Sequence, residues 1–258
     1  MARSLRKNVG LDHLVLLVGD GQWQGYIIPI RDASLILKGY SSAMDVVVAQ
    51  KIEMFFSDFP VRHYPQGQIL INAHDNPEHI FHLLEGRVKQ YDISYRGDEV
   101  VLNTYKPPAF FPMSYALNKK SNTYFFEAET DVTLHLVPIN AAAEFIQANP
   151  DVAYDLLRRV FSGLDGLLGR LAHVMAGSAR SRVLYELLIE GRRFGEKRGQ
   201  GVGIAITESD IATRAGLARE TVSRGISKLK QEGLISVIKN EIFIDDLDKL
   251  ADTLGREL

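Results

Sequence analysis

No cysteine occurs among the 258 residues. That excludes disulfides, thiolate zinc sites and cysteine-ligated iron–sulfur clusters. No apolar run approaches the length of a membrane span. Arg3, Arg6 and Lys7 precede Leu14 to Val18, but that run is too short for a signal-peptide core, so the cytoplasm is the expected location and no membrane partner is implied. Gly19-Asp20-Gly21 is not followed by the G-x-x-x-x-G-K-[ST] pattern of a phosphate loop. Nor is there a Ser-His-Asp order, a paired-carboxylate motif or a metal-ligand spacing, so neither an enzyme nor a metal site is expected. A strong net charge is lacking too: the formal value of −2 does not advertise a nucleic-acid partner. DNA affinity depends on local cation placement, however. Between Arg158 and Arg198 lie Arg159, Arg170, Arg180, Arg182, Arg192, Arg193 and Lys197, with few acids among them.

What is present is most legible from Thr207 to Gly233. Thr207, with Asp210 three residues on, makes a capped helix start, and Ile211, Ala212 and Ala215 give that helix an apolar face. Gly216 supplies a sharp turn. A second helix opens Ala218-Arg219-Glu220-Thr221-Val222-Ser223-Arg224. Val222, Ile226 and Leu229 line one face, leaving Arg219, Glu220, Ser223 and Arg224 on another. This is the pattern of a helix-turn-helix, whose second helix reads base edges in the DNA major groove. Leu234 to Val237, a turn at Lys239-Asn240 and Ile242 to Ile244 read as a β-hairpin wing. A small helical hairpin with a solvated charged face accounts for Lys228, Lys230 and Glu232. It does not account for the donors and carboxylate crowded at the helix start.

Upstream, residues 1–50 carry no recognisable chemistry. Leu14 to Val18 and Tyr26 to Ile28 can form short strands; the segment is either an extension, or the functional chain begins near Met44 or Met54. From Phe55 to about Pro138 the texture is β: Ile69 to Ile71, Ile80 to Leu84, Arg87 to Ile93, Glu99 to Leu102, Tyr124 to Ala128 and Val132 to Val137, with turn residues between. Many short strands joined by hairpin turns predict a small antiparallel barrel or jelly roll. The fold class is therefore α+β, with an N-terminal extension over 1–50 and a β effector domain over 51–150. A long helix over 151–176 and a winged helix-turn-helix domain over 177–258 complete the chain.

In the helical part, Asn140 to Ala148 is stopped by Asn149-Pro150, and Asp151 can cap the next helix. Leu157, Leu164 and Leu171 repeat every seven residues, as do Val160, Leu167 and Val174, which suggests a seam against a second copy of the same helix. Phe161 and Leu168 beside the seam leave open a helix packed on its own barrel. Gly163, Gly166 and Gly169 either permit a close helix approach or leave the helix soft. Ser178 can cap a further helix to about Phe194, Gly195 to Gly203 reads as a flexible loop, and Asp246 to Leu254 as a short terminal helix.

This order of parts resembles the cyclic-AMP receptor/fumarate-nitrate regulator (Crp/Fnr) family of bacterial transcription factors over about Phe55 to Leu250. The likeness is strongest at Arg219 to Arg224 and Gly233-Leu234-Ile235, and extends to Tyr64 to Leu70 and Leu83 to Val88. It implies a homodimer on double-stranded DNA with an inverted-repeat operator, and RNA polymerase as a partner. Arg219 and Arg224 would donate to guanine and Glu220 accept from cytosine, with Ser223 a further base contact and Thr207 and Thr221 at phosphates. Arg219 matches one branch of the family and Ser223 another, so the half-site stays open.

Cyclic-nucleotide binders of that family carry Gly-Glu and Arg-Ser or Arg-Thr pairs. Pro112-Met113 and Asn122-Thr123 stand there instead, which argues against cyclic AMP, and Lys119 and Lys120 nearby read as solvated. Some relatives bind haem through histidine, and His74, His79, His82 and His135, with Met113, would be the residues to consider. Phe111, Met113, Asn122, Thr123 and Tyr124 are candidates for lining an effector pocket, unless the barrel is filled by its own side chains. A competing reading is a haem- or small-ligand-binding module whose helix-turn-helix serves protein interaction.

Overall fold

The computed structural model describes residues 46–118, 121–238 and 241–257, and the backbone of the hairpin β1 (His13–Val18) and β2 (Gln24–Pro29). The two strands considered in the N-terminal segment do form. Gly19-Asp20-Gly21, Lys119-Lys120 and the wing turn at Lys239-Asn240 lie outside the described residues. The chain divides into two compact units, at Phe161/Ser162.

In the first unit, two four-stranded antiparallel sheets face each other. One has the order β3-β10-β5-β8 and the other β4-β9-β6-β7. The strands are β3 (Val61–Tyr64), β4 (Ile69–Ile71), β5 (His79–Glu85), β6 (Val88–Ile93), β7 (Glu99–Tyr105), β8 (Ala109–Phe111), β9 (Phe125–Ala128) and β10 (Val132–Pro138). Alternate residues of both sheets point inward, so Phe81, Leu83, Val88, Phe111, Phe126 and Leu134 form the core between them. Phe111 stands at its centre, its ring 5.7 Å from Phe81, 4.9 Å from Tyr105 and 5.4 Å from Phe126.

The helix α1 (Val46–Ser57) was not expected. Its buried Val48, Ile52 and Phe56 follow a helical spacing and join Ile80, Phe110, Val137 and Val152 in a second core. Its start, Val46-Val47-Val48, is β-branched, which hid the helix behind a strand-like composition. Around the same core stand α2 (Met113–Asn118) and α3 (Ile139–Ala148). β3 and β8 were also missed; with four and three residues they are too short to show alternation.

The long helix α4 (Pro150–Ala176) is continuous across the division. Val152, Ala153 and Leu156 near its start pack into the second core. After Phe161 the helix belongs with α5 (Ala179–Phe194), α6 (Glu208–Ala215), α7 (Arg219–Gln231) and α8 (Leu247–Leu254). These surround a sheet of order β11-β12-β14-β13, built from β11 (Glu196–Arg198), β12 (Gly201–Ile204), β13 (Ser236–Ile238) and β14 (Glu241–Ile244). Gly195 to Gly203 is thus mostly a β-hairpin rather than a flexible loop. Glu-Lys-Arg carries no apolar signal, and its strand is held by backbone pairing to β12 and by the Arg198–Glu241 ion pair to β14. α5 is the centre of this unit, burying Leu184, Leu187, Leu188 and Ile189 against α6, α7, α8 and the sheet.

The glycines of α4 play different parts. Tyr185 of α5 donates its hydroxyl to the Gly166 carbonyl at 2.6 Å. A Cβ added at Gly169 would stand 2.5 Å from that hydroxyl, whereas one at Gly163 would meet nothing within 4 Å. The close-approach reading therefore holds for Gly169. Gly169→Ala should destabilise this unit by about 1–3 kcal/mol. Gly163→Ala should stabilise the helix by up to about 1 kcal/mol. Denaturant titration of the two variants checks both signs.

Stability of the first unit should also depend on pH. His82 of β5 is buried beneath the Phe56 ring at 4.2 Å and parallel to His135 at 5.9 Å, with neither ring nitrogen hydrogen-bonded. Burial, reinforced by His135 and Arg159, lowers its pKa to about 4. The unfolded chain takes up the proton near pH 6.5 and the folded chain does not. The stabilising difference is complete above pH 6.5 and is lost as the pH falls toward 4, amounting to about 2–3 kcal/mol at pH 4.5. His82→Leu should lose that part of the pH dependence when unfolding at pH 7 and pH 4.5 is compared with the parent chain.

Candidate nucleic-acid interface

The helix-turn-helix is built by local signals that all agree. Thr207 caps α6: its Oγ1 accepts from the Asp210 amide at 3.1 Å, and the Asp210 carboxylate returns to the Thr207 amide at 3.0 Å. The reciprocal arrangement satisfies two amides that the helix start would otherwise leave open. Gly216 ends α6 at φ +62°, in the left-handed region where a side chain would be strained, and turns the chain into α7. Ile211, Ala212, Val222, Ile226 and Leu229 are all buried in the same core.

Burying Val222, Ile226 and Leu229 fixes which face of α7 looks outward. Arg219, Glu220 and Arg224 are exposed, and Thr221 and Ser223 half-buried beside them. Steps of four residues align Arg219 with Ser223 and Glu220 with Arg224. Ser227 and Lys228 continue the two rows and are exposed. Ser227 was not singled out in the sequence, although the same four-residue step from Ser223 marks it. Arg224 is only lightly held: Nε lies 3.3 Å from the Glu220 carbonyl and Nη2 3.4 Å from Thr221 Oγ1. Both are longer than a charge-assisted hydrogen bond of about 2.7–2.9 Å, so the fork can turn to a ligand at little cost.

Thr207 is placed differently from the other candidates. Its hydroxyl donates to Asp210 Oδ2 at 2.7 Å and its amide is taken by the same carboxylate. A phosphate approaching Thr207 would meet an acceptor already bound there and a like charge. α7, by contrast, begins at Ala218 with no side-chain cap, so its exposed first turn keeps amides for an anion.

The far end of α7 is held from α5. Arg180 forks onto Glu232, Nη1 to Oε1 at 3.0 Å and Nη2 to Oε2 at 2.5 Å, while its Nε reaches Glu257 at 2.9 Å. Hydrogen bonds from both acids raise the Arg180 pKa against the effect of burial. This arginine was part of the cation-rich stretch, yet its charge is consumed within the fold. The wing β13–β14 comes next, with Val237 and Ile238 exposed on its outer strand.

The expected seam residues Leu157, Val160, Leu164, Leu167, Leu171 and Val174 are all exposed, from 40% to 60%. Tyr154, Phe161, Leu168 and Met175 add a third exposed column at sevenfold spacing. Phe161 and Leu168 thus stand exposed, at 56% and 52%.

The effector-pocket candidates are placed in different surroundings. Phe111 is the centre of the aromatic stack, and Met113 packs at the edge of the other core. The Asn122 amide donates to the Asn72 carbonyl at 3.0 Å and the Tyr124 carbonyl at 2.5 Å, and so shapes its own loop. Thr123 and Tyr124 are exposed beside it. No guanidinium is supplied at Asn122-Thr123, so the residues do not fit a cyclic phosphate.

The histidines considered for haem lie in different surroundings. His82 lies between the rings of Phe56 and His135, and His135 Nδ1 lies 2.9 Å from the Phe59 carbonyl. His74 sits in an exposed turn at φ +69°. Among the described residues no group of three or more His, Asp or Glu could hold a metal ion, and no helix is long and apolar enough to cross a membrane.

Two family models match the chain: the cyclic nucleotide-binding domain over residues 61–149 and the Crp-like helix-turn-helix domain over residues 170–253. The global nitrogen regulator of Nostoc sp. is 27% identical over 201 residues, covering 74% of this chain and 89% of its own length. The transcriptional regulator SdrP of Thermus thermophilus is 29% identical over 181 residues, covering 68% and 85%. Among solved structures, a CooA mutant from Carboxydothermus hydrogenoformans shares the fold with a TM-score of 0.65 at 21% identity, over 85% of this chain and 95% of that one. A CRP/FNR-family transcriptional regulator from Thermus thermophilus does so with 0.62 at 24%, over 76% and 98%. With the double-sheet unit, the long helix and the winged helix-turn-helix in that order, the chain belongs to the Crp/Fnr family of transcription regulators, DNA-binding through its Crp-like helix-turn-helix.

Proposed function

We propose that the chain acts as a homodimer joined along α4 and reads an inverted-repeat operator with α7. The exposed row on α7 carries this reading: Arg219, Glu220, Ser223 and Arg224 on a helix whose opposite face is buried. Arg219 and Arg224 donate to guanine edges, Glu220 accepts from a cytosine amino group, and Ser223 bonds to a neighbouring base. Thr221 and the uncapped first turn of α7 hold phosphates and set the register. Thr207 serves the α6 cap. The occupant of the apolar columns on α4 is a second copy of this chain. Three sevenfold columns of exposed Leu, Val, Phe and Tyr exceed what a monomer leaves open to water, and the spacing is that of a helix pairing with its own kind. Two-fold symmetry then places the half-sites about one helical turn, ~34 Å, apart.

The double-sheet unit is a sensor or dimer-support module rather than a catalyst, and its effector is not a cyclic nucleotide. The interior filled by Phe81, Tyr105, Phe111 and Phe126 and the missing phosphate donors support this. The protein works in the cytoplasm beside RNA polymerase.

An operator selected from a random duplex pool should be an inverted repeat bound with a steep salt dependence. Arg219→Ala and Arg224→Ala should each lose about 1–3 kcal/mol of operator affinity and relax the preference at one base position. Unchanged affinity in both variants removes α7 as the reading element. Leu164→Glu should turn a sedimenting dimer into a monomer at micromolar concentration and weaken operator binding at least about tenfold. A parent chain that sediments as a monomer sinks the dimer proposal.

A further inference from the structure

α5 buries two carboxylates one turn apart, Glu186 and Glu190. Buried acids are rare unless paired, and each of these is met by an arginine from a different element. Arg170 of α4 forks onto Glu186, Nε to Oε1 at 2.6 Å and Nη2 to Oε2 at 2.9 Å. Arg214, in the last turn of α6 just before Gly216, reaches Glu190 Oε2 at 2.5 Å. The four groups are near enough to feel one another. Burial and Arg214 lower the Arg170 pKa, and the facing Glu186 outweighs them and raises it. Around them stand Leu184, Leu187, Leu188 and Ile211, all fully buried. None of the four charges lies on the exposed face of α7.

We propose that this cluster is a positioning device for operator reading: through Glu186 and Glu190, α5 fixes the helix-turn-helix in one register against the second half of α4. The proposal rests on α7 being the reading helix. Apolar helix faces tolerate sliding and rotation, because one leucine contact replaces another at similar free energy. A buried ion pair does not, since a shift leaves a charge uncompensated in an apolar surround. Arg170 locks α5 to α4, and Arg214 locks α6 to α5 next to the turn that launches α7. Glu190 and Arg214 therefore govern base selectivity without reaching DNA. Phosphate attraction depends on charge and little on orientation, whereas base contacts depend on both. Loosening the cluster should separate the two.

The test uses the full chain, the selected operator and a scrambled duplex of equal length. In Glu190→Gln with Arg214→Met, both charges are removed together so that neither is left unpaired. The ratio of operator to scrambled affinity should fall at least about tenfold, while scrambled binding and the salt slope stay at parent values. A folded double variant with the parent ratio overturns the proposal, and so does a variant that loses both affinities in equal measure. Glu190→Gln alone, which keeps an acceptor for Arg214, covers a double variant that does not fold. It should lower the ratio about threefold or more, and an unchanged ratio there also overturns the proposal. Arg224→Ala is the control. If it too leaves the ratio unchanged, the reading of α7 is at fault; if it alone lowers the ratio, only the positioning role fails.

Discussion

One helix has to satisfy different neighbours along its 27 residues, and most of this chain is arranged to let it. The first turns of α4 bury Val152, Ala153 and Leu156 in a core shared with α1 and the barrel. Its second half gives up side-chain volume at Gly169 so that Tyr185 can lie against the backbone and donate to the Gly166 carbonyl. Along the remaining face run Leu157, Leu164 and Leu171 with their companions, which stand exposed among the described residues. These demands conflict in helix propensity: the glycines cost up to about 1 kcal/mol each relative to alanine. The cost is offset at Gly169 by a buried aromatic contact and a hydroxyl–carbonyl bond. Gly163 has no such compensation in the single chain.

α5 is the counterpart that makes that second half useful. It is largely buried, and several of its polar groups are spent on neighbours: Ser181 at its own cap, Arg180 on Glu232 and Glu257, Glu186 on Arg170, Glu190 on Arg214. Each partner lies in a different element, so α5 meets α4, α6, the end of α7 and the C-terminal tail through charge as well as through leucines. Packing alone would hold these pieces together. Directional, charge-assisted bonds hold them in a single arrangement.

Much of the second unit was legible in the sequence because its signals are local. Thr207 with Asp210, Gly216 and Ser178 are caps and turns whose meaning depends on three or four neighbours, and each occurs where it was expected. The exposed row on α7 followed from the buried one. What stayed hidden is what tertiary context decides. β3 and β8 are too short to alternate and α1 opens with three valines, and each is held by a partner distant in sequence; β11 is Glu-Lys-Arg, with no apolar residue to mark a strand. Arg170 and Arg180 read as part of a cation-rich stretch, and Arg214 was not singled out, because nothing near them in sequence announces the acids 16, 52 and 24 residues away. Thr207 was visible as a cap and as a phosphate donor, and only the geometry shows that the first use occupies the hydroxyl.

The double-sheet unit departs most from a resemblance-based picture, and the reason lies in its core. A binding barrel needs an interior its own side chains do not fill, with donors at the mouth for a charged guest. Here Phe111 points from β8 into the space between the sheets and is stacked by Phe126 at an interplanar angle of 1°. The loop beyond it is anchored by Asn122 holding Asn72 and Tyr124 rather than offering its amide outward. The double-sheet fold is thus kept with aromatic packing in its interior and a bracketed loop beside it. The same backbone can serve as a receptor or as a rigid support. The side chains at Phe111 and Asn122 favour the support.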